Sequence, residues 1–239
     1  MAQKNKITIL STFANDKLVN ETGTIISKQS GGPALYLKQA LENERVSFSL
    51  KTGSRMEVKI LITKNGEFGK IPKKLKPKKV RFSRVRTPFL LISSVLDEFD
   101  LTNLSEFNGK VFFDVQGYVR DGNDFGKKKS WKPNKIVFKN IFCLKGTAEE
   151  LQNISKPRVE AQKQKILLIT KGKLGCEIFA FGKQYIVKPT KVIISKNTIG
   201  AGDTFFAYFV SRFVKTTKVF DSAKYAVKRT SAFLIAQDN

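Results

Sequence analysis

The feature that most constrains this chain is a glycine turn followed by an apolar run, within residues 197–213. Gly200, Ala201 and Gly202 form the turn, and Asp203 comes where a helix should begin. Apolar side chains then recur at the spacing of one helix face, at Phe206, Phe209, Val210 and Phe213. The segment predicts a strand, a tight turn and a buried helix.

Such a turn suits a phosphate. Glycines let the backbone approach a ligand closely, and the helix dipole adds partial positive charge at the same place. A carboxylate at Asp203 would be repelled by that phosphate unless it had a chemical task, such as taking the proton from an attacking hydroxyl. The alternative is that Asp203 only caps the helix.

Residues 198–205, Thr-Ile-Gly-Ala-Gly-Asp-Thr-Phe, closely resemble the C-terminal signature of the ribokinase (PfkB) family of carbohydrate kinases. The resemblance implies that Gly200, Ala201 and Gly202 form an anion hole and that Asp203 is the catalytic base. It also implies transfer of the γ-phosphate of ATP, with Mg²⁺, to a hydroxyl of a sugar, polyol or nucleoside.

Length and composition are consistent with such an enzyme. A chain of 239 residues with 41% hydrophobic residues can bury one core, so we predict a single domain spanning 1–239. It has no histidine, which excludes His-based catalysis and His-ligated metals. Cys143 and Cys176 lie in apolar surroundings and are predicted to be buried thiols. With no apolar run of membrane-spanning length, we expect a soluble, cytoplasmic protein.

The formal net charge of +24 favours association with anionic partners, which could be nucleic acid, anionic lipid or phosphorylated small molecules. A lysine-rich surface without a function is the other explanation. Nucleic acid is therefore a partner that the charge permits but the motifs do not favour.

Two N-terminal segments match landmarks of the family. Residues 6–13 predict a first strand, which places Asp16 at its C-terminal end. The resemblance assigns Asp16 to substrate hydroxyls, although a turn aspartate is an equal alternative. Gly31 and Gly32 precede a predicted helix and resemble the family's paired glycines that close over the substrate, although a purely structural helix start at Pro33 is an alternative. Tyr36 replaces an asparagine that contacts substrate in many members.

A small β lid is expected from about 17–30 and 48–86. The second segment contains a basic stretch with the positive side chains Lys70, Lys73, Lys74, Lys76, Lys78, Lys79, Arg81, Arg84 and Arg86. They could form a charged lip beside an anionic ligand. A solvated loop or protected edge strand is the alternative, which we favour slightly.

The middle of the chain predicts buried strands that end in polar groups. Residues 89–95 form one strand, followed by a polar helical stretch from Asp97, and 111–120 form another. By resemblance, Gln116 belongs to the substrate site and Arg120 approaches phosphate oxygens, although a surface arginine is the simpler assumption for Arg120.

Two further segments resemble nucleotide-site landmarks. After a strand at 136–144, Thr147 and Glu150 match the family's Asn-x-x-Glu, whose Glu organises magnesium; Thr-x-x-Glu is equally a capping box. After a strand at 165–170, a glycine loop resembles the family's Thr-x-Gly-x-x-Gly, with nucleotide-binding candidates at Thr170, Gly172 and Gly175.

The chain then continues through a hairpin at 176–187, a strand at 191–195 and, after the turn, a last helix at about 222–236 that could cover the adenine. Asn197 replaces an Asp that the family associates with a monovalent cation, so potassium activation is not expected.

The alternation of strands and helices predicts an α/β fold, with a mainly parallel sheet covered on both faces. The resemblance makes this the three-layer ribokinase-like fold with a reduced β lid, as a monomer or homodimer with a small-molecule alcohol as substrate. Two alternatives share the scaffold: a nucleic-acid-binding protein, and an inactive homologue that binds a ligand without transferring phosphate.

Overall fold

Strands and helices alternate along most of the chain in the structure, a computed structural model that describes residues 5–63, 66–72, 78–81, 85–195 and 197–238. The strands are β1 (Ile7–Ser11), β2 (Ala14–Val19), β3 (Ile25–Gly31), β4 (Phe48–Lys51), β5 (Met56–Thr63), β6 (Gly66–Lys70), β7 (Phe89–Ser93), β8 (Lys110–Asp114), β9 (Ile141–Thr147), β10 (Ile166–Thr170), β11 (Cys176–Ala180) and β12 (Lys183–Val187). The helices are α1 (Pro33–Asn43), α2 (Gln116–Val119), α3 (Lys135–Asn140), α4 (Ala148–Leu151), α5 (Lys156–Lys163), α6 (Ala201–Thr216) and α7 (Val219–Asp238).

The main sheet has eight strands in the order β12-β11-β10-β9-β8-β7-β1-β4. Every pairing from β10 across to β4 is parallel, while the β11–β12 hairpin is antiparallel at one edge. This confirms the predicted mainly parallel sheet. Because parallel strands end at the same edge, the polar residues after β7, β8, β9 and β10 come together there.

Helices cover both faces of this sheet. The core on one face includes side chains of α1, α6 and α7, and the core on the other includes side chains of α3 and α4. The central strands are buried on both faces, as Leu90, Leu91 and Ile92 of β7 are all 0% exposed. The predicted three-layer α/β fold is confirmed.

Helix α6 runs through the middle of its layer. The four apolar residues predicted to share its buried face are buried as expected, at Phe206, Phe209, Val210 and Phe213. The ring of Phe213 lies edge-on to Phe112 of β8, with 5.4 Å between ring centroids. This packing of a large apolar face fixes the start of α6 at the polar edge of the sheet.

A second, four-stranded sheet in the order β3-β2-β5-β6 lies beside the main one, and we call it the small sheet. Its buried apolar side chains, Ala14, Leu18, Met56, Val58 and Ile60, pack against Ile71, Val95 and Leu96. The small sheet falls largely within the segments expected to form a lid. Residues 64–65, 73–77 and 82–84 of those segments lie outside the described residues.

Several predicted elements differ from the structure. The first strand ends at Ser11, and Asp16 lies inside the next strand, β2, not at the end of β1. The extended structure is interrupted between β1 and β2, where the backbone of Gly32, at φ 81°, packs against the connecting residues. A Cβ at Gly32 would lie 2.7 Å from the Thr12 carbonyl oxygen and 2.6 Å from the Ala14 nitrogen.

Three other strand predictions were wrong in whole or in part. The strand predicted over 111–120 ends at Asp114, and Gln116–Val119 form helix α2. Residues 136–140 begin with the strand-like side chains Ile136, Val137 and Phe138 but belong to helix α3, because the Asn134 side chain accepts a hydrogen bond from the Ile136 N–H and caps the helix. Residues 191–195 form no strand. The polar stretch after Asp97 is helical only at Thr102–Glu106, as a 3₁₀ turn.

The basic segment is described only in part, and Lys73, Lys74, Lys76 and Arg84 lie outside the described residues. Lys79 pairs with Asp97 at 3.2 Å, and Arg81 pairs with Asp100 at 3.3 Å. These two positive side chains therefore contact acidic neighbours on the protein surface. In the part of the chain that the structure describes, no helix combines the length and apolar character needed to cross a bilayer.

Candidate active site

The turn before α6 has the geometry that its glycines predict. Gly200 has φ 79°, in the left-handed region that favours glycine, and is the N-cap of the helix. A Cβ there would also lie 2.4 Å from the ring of Tyr36, so the aromatic ring packs flat against the turn. Asp203 is the third residue of the helix and makes no capping hydrogen bond. The capping alternative for Asp203 is therefore not observed.

The carboxylate of Asp203 is held by two distant side chains. Ser93, at the end of β7, donates its hydroxyl to Oδ1 of Asp203 at 2.9 Å. Gln116, at the start of α2, donates its side-chain amide to the same oxygen, also at 2.9 Å. Both bonds reach Oδ1, so neither engages Oδ2. Asp203 is 8% exposed and lines a cleft, an arrangement that suits a proton acceptor.

Burial raises the pKa of Asp203 above its ordinary value. The positive charge of Lys145, the hydrogen bonds from Ser93 and Gln116, and the charge of Arg120 act in the opposite direction. A raised pKa makes a carboxylate a stronger base, provided that it stays ionised at the working pH. The pKa of Asp203 is therefore raised by burial and lowered by the neighbouring positive charges and hydrogen-bond donors.

Lys145 and Ser93 are functional candidates that the sequence analysis missed. Lys145 lies near the end of β9 with its ammonium 2.7 Å from Oδ2 of Asp114, and both side chains are buried. The one local signal for Lys145 is a lysine within an otherwise apolar strand. Ser93 ends a buried strand, where a serine carries no such signal.

A cleft of about 430 Å³ lies between the small sheet and the turn, and we call it the small-sheet cleft. The predicted substrate residues that line it are Asp16, Gly32, Tyr36 and Gln116, together with Asp203. Gly31 lies directly behind Asp16, since a Cβ at Gly31 would lie 1.8 Å from the Asp16 carboxylate. The structure therefore brings the substrate candidates together around Asp203.

Asp16 reaches this cleft from β2, where it is only 3% exposed. Burial raises the pKa of Asp16 to about 6. A hydroxyl that donates a hydrogen bond to the carboxylate would restore part of the solvation that burial removes.

A second cleft, of about 300 Å³, lies between α7 and the glycine loop after β10, and we call it the α7 cleft. Its lining includes the predicted nucleotide residues Thr170, Gly172 and Gly175. Its apolar wall comes from Ile193, Phe205, Val227 and Leu234. Thr198 and Gly202 line both clefts, so the turn lies at the boundary between them.

Arg120 and Glu150, which were also predicted to lie near the nucleotide, are not among the residues that line the α7 cleft. Arg120 lines the small-sheet cleft, where it donates to the Val95 carbonyl at 3.0 Å and to Gln116 Oε1 at 3.3 Å. Glu150 completes a capping box with Thr147: Thr147 N–H donates to the carboxylate at 2.8 Å, and Glu150 N–H donates to the Thr147 hydroxyl at 3.2 Å. The capping interpretation of Glu150 is confirmed.

Comparisons with known proteins bear on this arrangement. The sequence profile of the "pfkB family carbohydrate kinase" matches residues 132–237, a range that includes the turn, Asp203, Thr147 and Glu150. Among curated proteins no match was found.

Solved structures resemble the whole chain. A pyrophosphate-dependent kinase in the ribokinase family, complexed with a pyrophosphate analog and myo-inositol, has 17% identity and a TM-score of 0.74, over 96% of this chain and 95% of that one. The nucleoside kinase of Methanocaldococcus jannaschii has 17% identity and a TM-score of 0.68, over 99% and 94%. The ribokinase of Arabidopsis thaliana, complexed with ribose and ATP, has 14% identity and a TM-score of 0.68, over 98% and 93%.

The fold and the profile match together class this protein as a phosphotransferase with a ribokinase-like fold. Its sequence carries the pattern of the PfkB family of carbohydrate kinases across residues 132–237, which confirms the predicted resemblance.

Proposed function

We propose that this protein is an ATP-dependent small-molecule kinase that transfers the γ-phosphate to a hydroxyl of a sugar, polyol or nucleoside. The observation that carries the proposal is the position of Asp203 beside the Gly200–Gly202 turn, at the boundary of two clefts. The small-sheet cleft would hold the acceptor and the α7 cleft the donor. The reacting groups would then meet at the turn.

Asp203 would act as the general base. Its carboxylate takes the proton of the acceptor hydroxyl, whose oxygen forms a bond to the γ-phosphorus. The bond from that phosphorus to the bridging oxygen breaks, and ADP leaves with its electron pair. The presence of the Asp203 carboxylate in the lining of the small-sheet cleft supports this step.

The turn would serve as the anion hole. The first N–H groups of a helix have no acceptor within the helix, so they are available for phosphate oxygens. The N–H of Ala201 donates to the Thr198 carbonyl at 3.1 Å, which makes the N–H groups of Gly202 and Asp203 the better candidates. Such donors stabilise charge that develops on the transferred group.

The acceptor would be held mainly by polar groups at one end of the small-sheet cleft. In this proposal Asp16 and Gln116 bind acceptor hydroxyls, and Gly31 and Gly32 allow the chain to close around them. Tyr36 forms part of the wall, and the small sheet covers the cleft as a lid of a single kinase domain. Val58, Ile60, Phe68 and Phe125 give the lid side an apolar surface.

The donor site favours a nucleotide over pyrophosphate, which a similar structure uses. The apolar wall of the α7 cleft suits an adenine ring, whereas pyrophosphate has no apolar part. The similar ribokinase of Arabidopsis thaliana was solved with ATP. Thr170, Gly172 and Gly175 would line the nucleotide, and the free, buried thiols of Cys143 and Cys176 suit the reducing cytoplasm where ATP is made.

In this proposal a magnesium ion is held chiefly by phosphate oxygens and water, with few ligands from the protein. The described residues contain no group of three His, Cys, Asp or Glu side chains that could hold a metal by themselves. Magnesium in kinases is often bound through only one or two carboxylates plus the nucleotide, and Glu150 would be that carboxylate. When bound, magnesium would offset the negative charge of the phosphates.

A panel of acceptors tests the proposal directly. Purified protein would be incubated with ATP or pyrophosphate, with and without magnesium, and with ribose, myo-inositol or adenosine, and release of ADP or phosphate measured. The proposal predicts acceptor-dependent ADP release that requires magnesium. Salt-sensitive binding of DNA or RNA, with no ADP release from any acceptor, would instead favour a nucleic-acid-binding protein on an inactive kinase scaffold.

A further inference from the structure

The Lys145 side chain is buried, where a charged ammonium group is energetically unfavourable. It belongs to β9, its side chain is 4% exposed, and its ammonium lies 2.7 Å from the carboxylate of Asp114, which is 0% exposed. Removing two charges from water carries a large penalty, and a well-packed apolar pair often stabilises a fold as well or better. A buried pair of this kind therefore calls for an explanation beyond folding.

The ammonium lies directly behind the turn. A Cβ built at Gly202 would be 3.1 Å from Nζ of Lys145. Gly202 also lines both clefts, so Lys145 is separated from them by little more than the backbone of the turn. A fixed positive charge thus lies on the inner side of the turn whose outer side faces the clefts.

Hydrogen bonds connect this ion pair to Asp203. The backbone N–H of Gln116 donates to Asp114 Oδ1 at 3.1 Å, while its side-chain amide donates to Asp203 Oδ1 at 2.9 Å. The Ser93 hydroxyl is 2.9 Å from Asp203 Oδ1 and 3.3 Å from Asp114 Oδ2. Because one hydroxyl has one proton, Ser93 can donate to only one of these carboxylates, and the shorter distance favours Asp203.

Charged side chains of both signs form a cluster with Asp203. Lys145 on β9 has the largest lowering effect among the charges on the pKa of Asp203, followed by Arg120 after α2. Asp114 on β8 and Glu150 on α4 are the acidic groups of the same cluster, and both interact with Lys145. Arg120 is also engaged with the Val95 carbonyl and stacks on the Phe125 ring at 4.5 Å.

We propose that Lys145 is a positioning residue of this site: its ammonium, fixed behind the Gly200–Gly202 turn by Asp114, keeps the buried Asp203 carboxylate ionised and ready to accept a proton. The inference rests on the proposed function, since it matters for catalysis only if Asp203 is the base. It gives the buried ion pair a role that an apolar pair could not fill.

The test measures Asp203 itself, without any substrate. The full chain would be prepared with isotope-labelled aspartate carboxyls, titrated by NMR, and the Asp203 signal assigned by its loss in Asp203→Asn. Lys145→Met should raise the pKa of Asp203 by about one unit or more, because removal of a nearby opposite charge has effects of that size. Lys145→Arg should leave it close to the wild-type value.

One further variant serves as a control, and another replaces Lys145→Met if that variant does not fold. Lys110→Met removes an equal charge from the exposed start of β8 and should leave the titration of Asp203 unchanged. If Lys145→Met does not fold, Lys145→Gln removes the positive charge while keeping an amide that can donate to Asp114, and it is measured in the same way. In that variant we also expect a raised pKa of Asp203, since Lys145 is its largest favourable charge.

An Asp203 pKa within a few tenths of a unit of wild type in Lys145→Met, or in Lys145→Gln if Lys145→Met does not fold, would overturn the inference. That failure is distinct from failure of the proposed function, which is decided by turnover of Asp203→Asn. A shifted pKa with undiminished Asp203→Asn turnover would leave the electrostatic link intact and reject Asp203 as the base.

Discussion

The side chain of Gln116 donates a hydrogen bond to the carboxylate of Asp203 at 2.9 Å, although 87 positions separate the two residues. Asp203 lies within the part of the chain that matches the PfkB profile, and Gln116 lies outside it. The fold therefore assembles the candidate site from both parts of the chain. Gln116 also lines the small-sheet cleft, so it could bind acceptor and orient the base at once.

Gln116→Leu should lower kcat by about 10-fold or more, since a hydrogen bond to a charged group contributes about 1.5–3 kcal/mol. The expected cause is a carboxylate that is less well oriented and harder to ionise. Steady-state kinetics on the acceptor found by the panel would measure it. Gln39→Leu, an exposed substitution on α1, is the matched control. Equal rates for the two variants would remove Gln116 from the account.

Gly200→Ala should destabilise the protein by about 2 kcal/mol or more, because a left-handed φ costs a non-glycine residue about 1–3 kcal/mol. The new methyl group would also collide with the Tyr36 ring. Gly172→Ala is the matched control: Gly172 also has a positive φ, but a Cβ there meets nothing within 4 Å. Thermal unfolding should show the larger loss for Gly200→Ala, and the reverse order would contradict the packing of Tyr36 on the turn.

Asp16→Asn should stabilise the free enzyme at neutral pH while weakening acceptor binding. Burial raises the folded-state pKa of Asp16 from 3.8 to about 6, so the folded protein binds more protons than the unfolded chain between those values. The contribution of protonated Asp16 to the free energy of unfolding is therefore present in full below about pH 4, and it is lost as the pH rises to about 6. The variant should gain about 1–2 kcal/mol above pH 6, after allowance for partial solvent screening.

Denaturant unfolding of wild type and Asp16→Asn between pH 4 and pH 8 would measure this gain. We expect the two curves to converge at the acidic end, and KM for the acceptor to rise more than about 10-fold in the variant. The control is Asp221→Asn, at an exposed position on α7. Constant stability differences across the whole pH range would show that Asp16 is not the titrating group.

Ser231→Trp should raise KM for ATP about 10-fold or more, because the indole would fill part of the α7 cleft that Ser231 lines. Ser231→Ala removes the hydroxyl without adding bulk and should have little effect. Nucleotide binding measured by calorimetry separates this effect from one on chemistry. Unchanged ATP affinity in Ser231→Trp would mean that the nucleotide lies elsewhere.

Sequence patterns predicted the elements whose signals are local. The turn at Gly200 and the apolar spacing of α6 depend on neighbouring residues, and both are as expected. Residues 136–140 were misassigned because a single cap at Asn134 outweighed their strand-like composition. Local propensity is a weak guide where a cap or tertiary packing opposes it.

The candidate site was predictable only where the family signature marks it. Ser93 lies 110 positions from Asp203, and no local pattern connects them. Lys145 is 31 positions from Asp114, and the ion pair exists only because β8 and β9 are neighbours in the sheet. Asp16 was assigned to the end of β1 because the break before β2 depends on packing by the distant Gly32.

Turnover of Asp203→Asn tests the central claim most directly. ATP-dependent phosphorylation of the acceptor would be measured alongside ATP binding and thermal unfolding, with Asp221→Asn as the control. We predict that Asp203→Asn keeps its fold and its ATP affinity while kcat falls by about 100-fold or more, the scale of a lost general base. A kcat equal to that of the wild type would contradict the account.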